Sequence, residues 1–219
     1  MITFEDIKNN KKLKTYIAEA DEALEAIGFT EHSFAHMGIV SKNAGYILET
    51  LGYPAREIEL ARIAGYMHDI GNLVNRADHS QSGALMAFVL LNEMGMDAPE
   101  IAKIVAAIGN HDEGTGSPVS AIAAAVILAD KSDVRRNRVR GLPKQISGIH
   151  ERVNFSVKEA QLKINSEKTI IKLKLFIDTK DSSVMEYFEI FMERMILCRK
   201  SAQKLGLQFK LIINEQQLI

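Results

Sequence analysis

The chain has 219 residues, of which 47% are hydrophobic and 25% are charged. This composition is typical of a soluble globular protein with a sizeable core, built as one large domain or as one domain with a small appendage. The formal net charge of −1 excludes an overall positive field that would attract nucleic acid or an anionic membrane, so local groups would have to hold any anionic ligand.

Cysteine usage and the N-terminal residues indicate the compartment. The single cysteine, Cys198, cannot form an internal disulfide. The first residues lack the basic and apolar regions of a signal peptide, and the longest apolar run, residues 119–129, is too short to cross a bilayer. We therefore expect a cytoplasmic protein with no membrane partner.

Apolar residues recur at helical spacing between residues 17 and 51, with a break at residues 28–30. Thr30 is predicted to cap a helix of about 20 residues that carries His32 and His36. Gly52 and Pro54 end that helix and open the next one, which runs into an adjacent His-Asp pair at residues 68 and 69. Two helices should thus converge on this pair.

The pattern stays helical as far as residue 133. A polar loop at residues 72–78 precedes a helix over residues 80–94, so that His79 should lie near a helix start. A second apolar helix covers residues 99–109, and a turn-rich stretch follows at residues 114–118. The small apolar residues of 120–133 predict a central, buried helix.

After Arg140 the pattern changes, since Gly141 and Pro143 break the helix. Strands are predicted at residues 160–164, 169–177 and 208–213, with a helix at residues 183–205 before the last strand. The predicted fold is mainly α with a small C-terminal α+β appendage of order β-β-α-β, divided into residues 1–145 and 146–219. An exposed edge strand in the appendage could regulate the protein or pair two copies as a homodimer.

Metal-capable side chains are concentrated in the helical part of the chain. Because 3.6 residues make a turn, His68 and Asp69 point about 100° apart on a helix, and both can hold one cation only where the helix meets a cleft. Mixed nitrogen and carboxylate ligands suit Fe, Mn, Co or Zn, and a carboxylate can also bridge two cations. The candidate ligands are His36, His68, Asp69, His79, His111 and Asp130.

The order His36, His68-Asp69 and Asp130 resembles the H…HD…D signature of the HD-domain metal-dependent phosphohydrolases, over residues 30–140. The resemblance implies an HD-domain helical bundle. His79 and His111 look like the extra metal positions of the HD-GYP phosphodiesterase branch, which implies two metals per chain. Asn72, Asn110 and Ser117 differ from that branch, so one metal or two stays open and cyclic di-GMP is not specified as the substrate.

Further residues near the signature are candidates for binding and catalysis. Lys131, Arg135 and Arg136 could clamp a phosphate, or they could belong to a solvated basic face. Glu113 could act as a general acid, whereas Asp112 and Asp133 could orient a ligand histidine. His32 is predicted to share a helical face with His36, either as a supplementary ligand or as a surface residue.

The leading hypothesis is a phosphohydrolase that cleaves a phosphomonoester or phosphodiester of a small nucleotide-like molecule by metal-activated water. Asp69, Lys131 and Glu113 are its predicted catalytic residues. One alternative is a sensor or scaffold module that binds metal and nucleotide without turnover. A third is an interaction domain whose histidines are only core residues.

Overall fold

The computed structural model describes residues 1–140 and 148–218, which form a helical body followed by a small sheet. Two short 3₁₀ helices, Ile70–Leu73 and Arg136–Arg138, interrupt the connections. The helices are α1 (Phe4–Asn9), α2 (Lys11–Ala26), α3 (Phe34–Leu51), α4 (Ala55–Met67), α5 (His79–Glu93), α6 (Ala98–Gly109), α7 (Ala121–Lys131), α8 (Ile149–Ser156) and α9 (Val184–Lys204). The strands are β1 (Val157–Ile164), β2 (Ile170–Ile177), β3 (Gln208–Ile213) and β4 (Gln216–Gln217).

Helix α7 is the central element of the helical body. Every residue from Ile122 to Ala129 is buried, and α3, α4, α6 and α9 pack around the helix. Its many alanines let these neighbours approach closely, while Ser120 caps its first turn by accepting a hydrogen bond from the backbone N–H of Ala123 at 3.1 Å. The predicted buried central helix is thus observed, and it delivers Asp130 to the interior.

Helix α3 begins later than the sequence predicts. Ser33, not Thr30, is its N-cap, so His32 precedes the helix instead of lying on it. Tertiary contacts fix the preceding segment: the backbone N–H of His32 donates to Asp21 Oδ1 at 2.7 Å, and that of Glu31 donates to the carbonyl of Arg138 at 2.7 Å. These bonds outweigh the local capping preference of Thr30, which a sequence pattern cannot reveal.

The turn after α4 lies against the start of α5. A Cβ on Gly71 would collide with the carbonyl oxygen of His79 and the backbone nitrogen of Gly83. Only glycine allows the two backbones to approach so closely at this point. Gly71 therefore fixes the first turn of α5, and with it His79, beside the end of α4.

The C-terminal residues form a four-stranded sheet in the order β1-β2-β3-β4. β1 and β2 are antiparallel, β2 and β3 are parallel, and β4 adds a short antiparallel pair. Helix α9 lies between β3 and α7, with Tyr187, Phe191 and Met195 fully buried. The predicted fold class, a mainly helical protein with a small α+β appendage, is confirmed.

The C-terminal prediction missed one helix, and its domain boundary stays untested. Helix α8 was not predicted, because its eight residues carry too weak an apolar period. The predicted break at residues 141–143 and the domain boundary between residues 145 and 146 lie outside the described residues. The division into two domains therefore stays a prediction.

Within residues 1–140 and 148–218, none of the helices combines the length with the apolar composition that crossing a bilayer requires.

Candidate metal centre and cavity

Six candidate ligands from five helical elements meet in one place. Most of them lie at helix ends, where the chain changes direction and a side chain can point into a cleft. Ionised or basic groups at such a depth need partners, because burial without compensation is costly. His36 comes from α3, His68 and Asp69 from the end of α4, His79 from the start of α5, His111 from just after α6, and Asp130 from α7.

The first group of ligands surrounds one oxygen of Asp69. Oδ2 of Asp69 is 3.1 Å from Nε2 of His68 and 3.7 Å from Nε2 of His36. Oδ1 of Asp130 approaches the same two nitrogens at 3.7 and 3.4 Å, respectively. Three of these side chains, His36, His68 and Asp130, can turn their donor atoms to one cation.

The second group faces the other oxygen of Asp69. Oδ1 lies 3.2 Å from Nε2 of His79 and 3.5 Å from Nε2 of His111, and these two nitrogens are 3.1 Å apart. His68, Asp69 and His111 form a second set whose donor atoms could share a cation. The Asp69 carboxylate therefore stands between two groups of histidines.

The histidine rings are held so that Nε2 faces inward. Nδ1 of His68 donates to the carbonyl of Gly65 at 2.9 Å, and Nδ1 of His111 donates to the carbonyl of Ile108 at 2.6 Å. Since a carbonyl can only accept, Nδ1 carries the proton and Nε2 keeps its lone pair for a ligand. His32 and His79 are fixed in the same way by the carbonyls of Thr30 and Arg76.

His36 is anchored by a carboxylate. Nδ1 of His36 lies 2.8 Å from Oδ2 of Asp133, which is the orienting contact predicted for Asp133. Burial alone would raise the pKa of Asp133, but the hydrogen bonds from His36 and Arg135 hold it well below its usual range. An ionised partner at Nδ1 strengthens His36 as a base or ligand at Nε2. Asp112, the other predicted partner, is 3.9 Å from Nε2 of His79.

The cluster fits a divalent metal. Nε2 of His36 and Nε2 of His68 are buried, and neither has a hydrogen-bond partner of acceptable geometry among the described residues. Burial alone would lower the pKa of His68, yet Asp69 and Asp130 raise it to about 10. Carboxylates that stabilise a proton so strongly also favour a cation. Four imidazoles and two carboxylates are the donor set that Fe, Mn, Co and Zn accept.

Four of the six candidate ligands, Asp69, His79, His111 and Asp130, line a cavity of about 570 Å³, a volume suited to a small organic ligand. Residues of α8 and Arg194 of α9 form another part of its wall. Besides the four ligands, the cavity is lined by Gly28, Phe29, Thr30, His32, Arg76, Glu113, Lys131, Arg138, Gly148, His150, Glu151, Asn154 and Arg194.

Of the three predicted phosphate-binding cations, the structure brings only Lys131 to the cavity. Arg135 turns back onto Asp133, with Nε 2.5 Å from Oδ1. Arg136 pairs with Asp181 at 2.7 Å and stacks on the ring of Phe155. Because the chain turns after α7, an arginine that is close to Asp130 in sequence need not face the cavity.

Lys131 and Glu113 form an ion pair inside the cavity. Nζ of Lys131 is 2.8 Å from Oδ2 of Asp130 and 2.5 Å from Oε2 of Glu113. Burial alone would raise the pKa of Glu113, but Lys131 and Arg194 hold it well below its usual range. A carboxylate kept ionised in this way has no proton to give, which opposes the predicted role of Glu113 as a general acid.

Other cavity residues differ from the prediction in different ways. His32 was placed on the wrong element, and Arg76 and Arg194 were not assigned to the site. Arg138 belongs to the basic stretch 131–140 that could clamp a phosphate, but Lys131 and Arg135 were favoured over it. His32 reaches the cluster from outside α3, with Nε2 3.9 Å from Oδ2 of Asp69. Burial and Arg138 keep the pKa of His32 well below its usual value, so it is present as a neutral imidazole. Arg76, Arg138 and Arg194 also line the cavity. For Arg194 there was a signal, because it interrupts the apolar face of α9 that carries Phe191 and Met195.

One family model matches the part of the chain that holds the candidate ligands. Residues 33–137 match the model of the HD domain, a segment that contains all six candidate ligands. An uncharacterized protein of Methanocaldococcus jannaschii is 24% identical, over 76% of this chain and 73% of that protein. The crystal structure of a predicted HD superfamily hydrolase from an uncultured Thermotogales bacterium is 26% identical, with a TM-score of 0.46 over 57% of this chain and 68% of that one. Residues 33–137 of the chain are therefore an HD domain.

Proposed function

We propose that this protein is a metal-dependent phosphohydrolase that cleaves a phosphomonoester or phosphodiester of a small nucleotide-like molecule. The observation that carries the proposal is the position of Asp69, whose two carboxylate oxygens face two histidine groups within one buried cluster. A carboxylate so placed can join two divalent cations. Membership of the HD-domain superfamily supports a metal-dependent hydrolase in general.

The proposed ligands divide between two metals. His36, His68 and Asp130 would hold the first, His79 and His111 would hold the second, and Asp69 would contact both. When bound, a divalent metal supplies Lewis acidity toward a phosphoryl oxygen and lowers the pKa of a coordinated water. The donor set favours Fe, Mn, Co or Zn.

Lys131 is proposed to keep the carboxylate of Asp130 ionised and oriented toward the histidines. Burial would raise the pKa of Asp130, but Lys131, together with His36 and His68, holds it well below its usual range. Burial would lower the pKa of Lys131 in turn, and Asp130 and Glu113 raise it, so the ammonium stays charged. Glu113 accordingly acts in the proposal as an anchor for Lys131 and not as a proton donor.

Features of the cavity support a phosphorylated, nucleotide-like substrate. Its volume of about 570 Å³ accommodates a ligand of that size. Arg76 and Arg138 add positive charge to the lining, which favours a phosphate group. The ring of Phe29 at the cavity, with the guanidinium of Arg76 5.6 Å from its centroid, offers a flat surface for a base.

The test is a hydrolysis screen of protein loaded separately with Mn²⁺, Fe²⁺, Co²⁺ and Zn²⁺. Substrates are p-nitrophenyl phosphate, bis-p-nitrophenyl phosphate, and a set of linear and cyclic nucleotides. We expect turnover with at least one metal that Asp69→Ala abolishes and Asp97→Asn, a change at an exposed aspartate, leaves intact. Hydrolysis that survives Asp69→Ala would contradict the proposal, and tight nucleotide binding without product would favour a sensor.

A further inference from the structure

Arg194 lies outside the segment that matches the HD domain, yet it lines the same cavity as the candidate ligands. It is carried by α9, which packs against α7, the helix of Asp130. His150 and Asn154 of α8 line the cavity beside it. The cavity is thus composite, because residues C-terminal to the matched segment form the part of its wall that contains Arg194.

A chain of ion pairs joins Arg194 to the candidate metal centre. Nε of Arg194 donates to Oε1 of Glu113 at 2.8 Å, and Oε2 of Glu113 is 2.5 Å from Nζ of Lys131. Lys131 in turn contacts Asp130 at 2.8 Å. The guanidinium of Arg194 therefore lies three contacts from a candidate ligand.

The orientation of Arg194 leaves two donor groups for a ligand. Glu113 accepts a hydrogen bond from Nε, and the guanidinium carbon lies 4.6 Å from the ring centroid of Phe191. These two contacts fix the orientation of the guanidinium plane. No described residue accepts a hydrogen bond from Nη1 or Nη2 of Arg194, whose side chain is only 23% exposed. A half-buried, fixed guanidinium with open Nη groups is suited to bidentate recognition of a phosphate.

Lys131 and Arg194 together neutralise two buried carboxylates. Asp130 and Glu113 alternate with Lys131 and Arg194 along the chain of ion pairs, so the four charges cancel. Glu113 engages only Nε of Arg194, so the ion pair holds the guanidinium in place and leaves its Nη groups for a ligand.

We propose that Arg194 binds a phosphate oxygen of the substrate, and that α9 thereby sets which phosphorylated molecules the HD domain accepts. This inference rests on the proposed function, since it takes the substrate to be a phosphate ester. Arg194 is a second point of attachment in addition to the metal centre. Loss of the two Nη donors of its guanidinium should weaken anion binding without removing any metal ligand.

The test uses inorganic phosphate as the probe, titrated calorimetrically into metal-loaded protein. We expect Arg194→Met to weaken phosphate binding about ten- to hundredfold, the effect of losing hydrogen bonds to a charged group. Arg194→Lys, which keeps the charge and loses the fork, should recover only part of the affinity. Arg199→Gln, at an exposed arginine on the same helix, is the matched control and should bind phosphate as wild type does.

Metal content by elemental analysis and thermal unfolding accompany each titration. Unchanged metal content with weakened phosphate binding in Arg194→Met supports the inference. Equal phosphate affinity in wild type, Arg194→Lys and Arg194→Met overturns it and leaves the proposed metal centre standing. If the wild type retains no metal, the proposed function fails, and titration of the metal-free protein still decides whether Arg194 binds phosphate. If Arg194→Met does not fold, the comparison of Arg194→Lys with Arg199→Gln decides the matter.

Discussion

Two walls of the cavity are built by different means. The metal-facing wall contains histidines at helix ends, each fixed by a hydrogen bond from Nδ1, such as the bond of His111 to the carbonyl of Ile108 within the same turn. The wall from α8 and α9 depends on contacts between residues far apart in sequence, such as that of Arg194 with Glu113. Local sequence therefore specifies the candidate ligands, whereas tertiary packing specifies the groups that would contact the substrate.

Two histidines, one from the metal cluster and one from α8, should differ most in their effect on hydrolysis. His68 contributes to both candidate metal groups, whereas His150 is an exposed residue of α8. We expect His68→Ala to lower hydrolysis about a thousandfold or more, because several kcal/mol of transition-state stabilisation depend on the metals. His150→Ala should keep its metal content and most of its turnover. Comparable losses of metal in both variants would remove the distinction between the walls.

A smaller effect is expected from the residue that orients His36. Asp133→Asn keeps the size of the side chain but weakens the acceptor at Nδ1, and changes of this kind cost about 10- to 100-fold in metal affinity. Competition with a fluorescent chelator measures the affinity. Asp181→Asn, which removes the carboxylate paired with Arg136 at the surface, serves as the control and should leave metal affinity unchanged. Equal affinities for the two variants would show that the contact with His36 is incidental.

The close approach at Gly71 makes a prediction about stability. Gly71→Ala places a methyl group against the backbone of His79 and Gly83, and overpacking of this kind costs about 1–3 kcal/mol. Gly38→Ala in α3 meets no atom within 4 Å and should raise stability by up to about 1 kcal/mol. Denaturant unfolding of both variants measures the difference. A Gly71→Ala protein as stable as the wild type would disprove the packing argument.

Phosphate affinity should change least on substitution of Arg136, which the sequence predicts to be a phosphate-binding residue. Arg136 pairs with Asp181 at the surface and lies outside the cavity, so Arg136→Gln should change phosphate affinity by less than about twofold. The same calorimetric titration as for Arg194 gives the value. A tenfold loss in Arg136→Gln would mean that the basic residues after α7 form the phosphate clamp after all.

Much of the metal-facing wall could be predicted because its signals are local. The adjacent pair His68-Asp69 at a helix end and Asp130 at the end of an apolar helix lie where the sequence placed them. The extra histidines His79 and His111 also join the cluster. Each of these positions depends on a helix boundary, and helix boundaries here follow from glycine, proline and capping residues.

The rest could not be predicted because it depends on contacts across the fold. Arg138 enters the cavity and Arg136 leaves it only because a 3₁₀ turn covers Arg136–Arg138. Arg194 reaches the site through the packing of α9 on α7, 64 residues after Asp130 in the chain. His32 was assigned to a helix that begins two residues later, at Phe34. Neither hydrophobic periodicity nor a sequence motif predicts such contacts between residues distant in the chain.

If Asp69 joins two metals, the number of metal ions bound per chain should show it. Elemental analysis of anaerobically purified protein would compare the wild type with Asp69→Ala and His79→Ala. We predict about two metals per chain in the wild type, about one in His79→Ala and fewer still in Asp69→Ala, because the two carboxylate oxygens of Asp69 face different histidine groups. One metal per chain in the wild type, unchanged by His79→Ala, would contradict the two-metal account, and no metal in any preparation would contradict the metal centre itself.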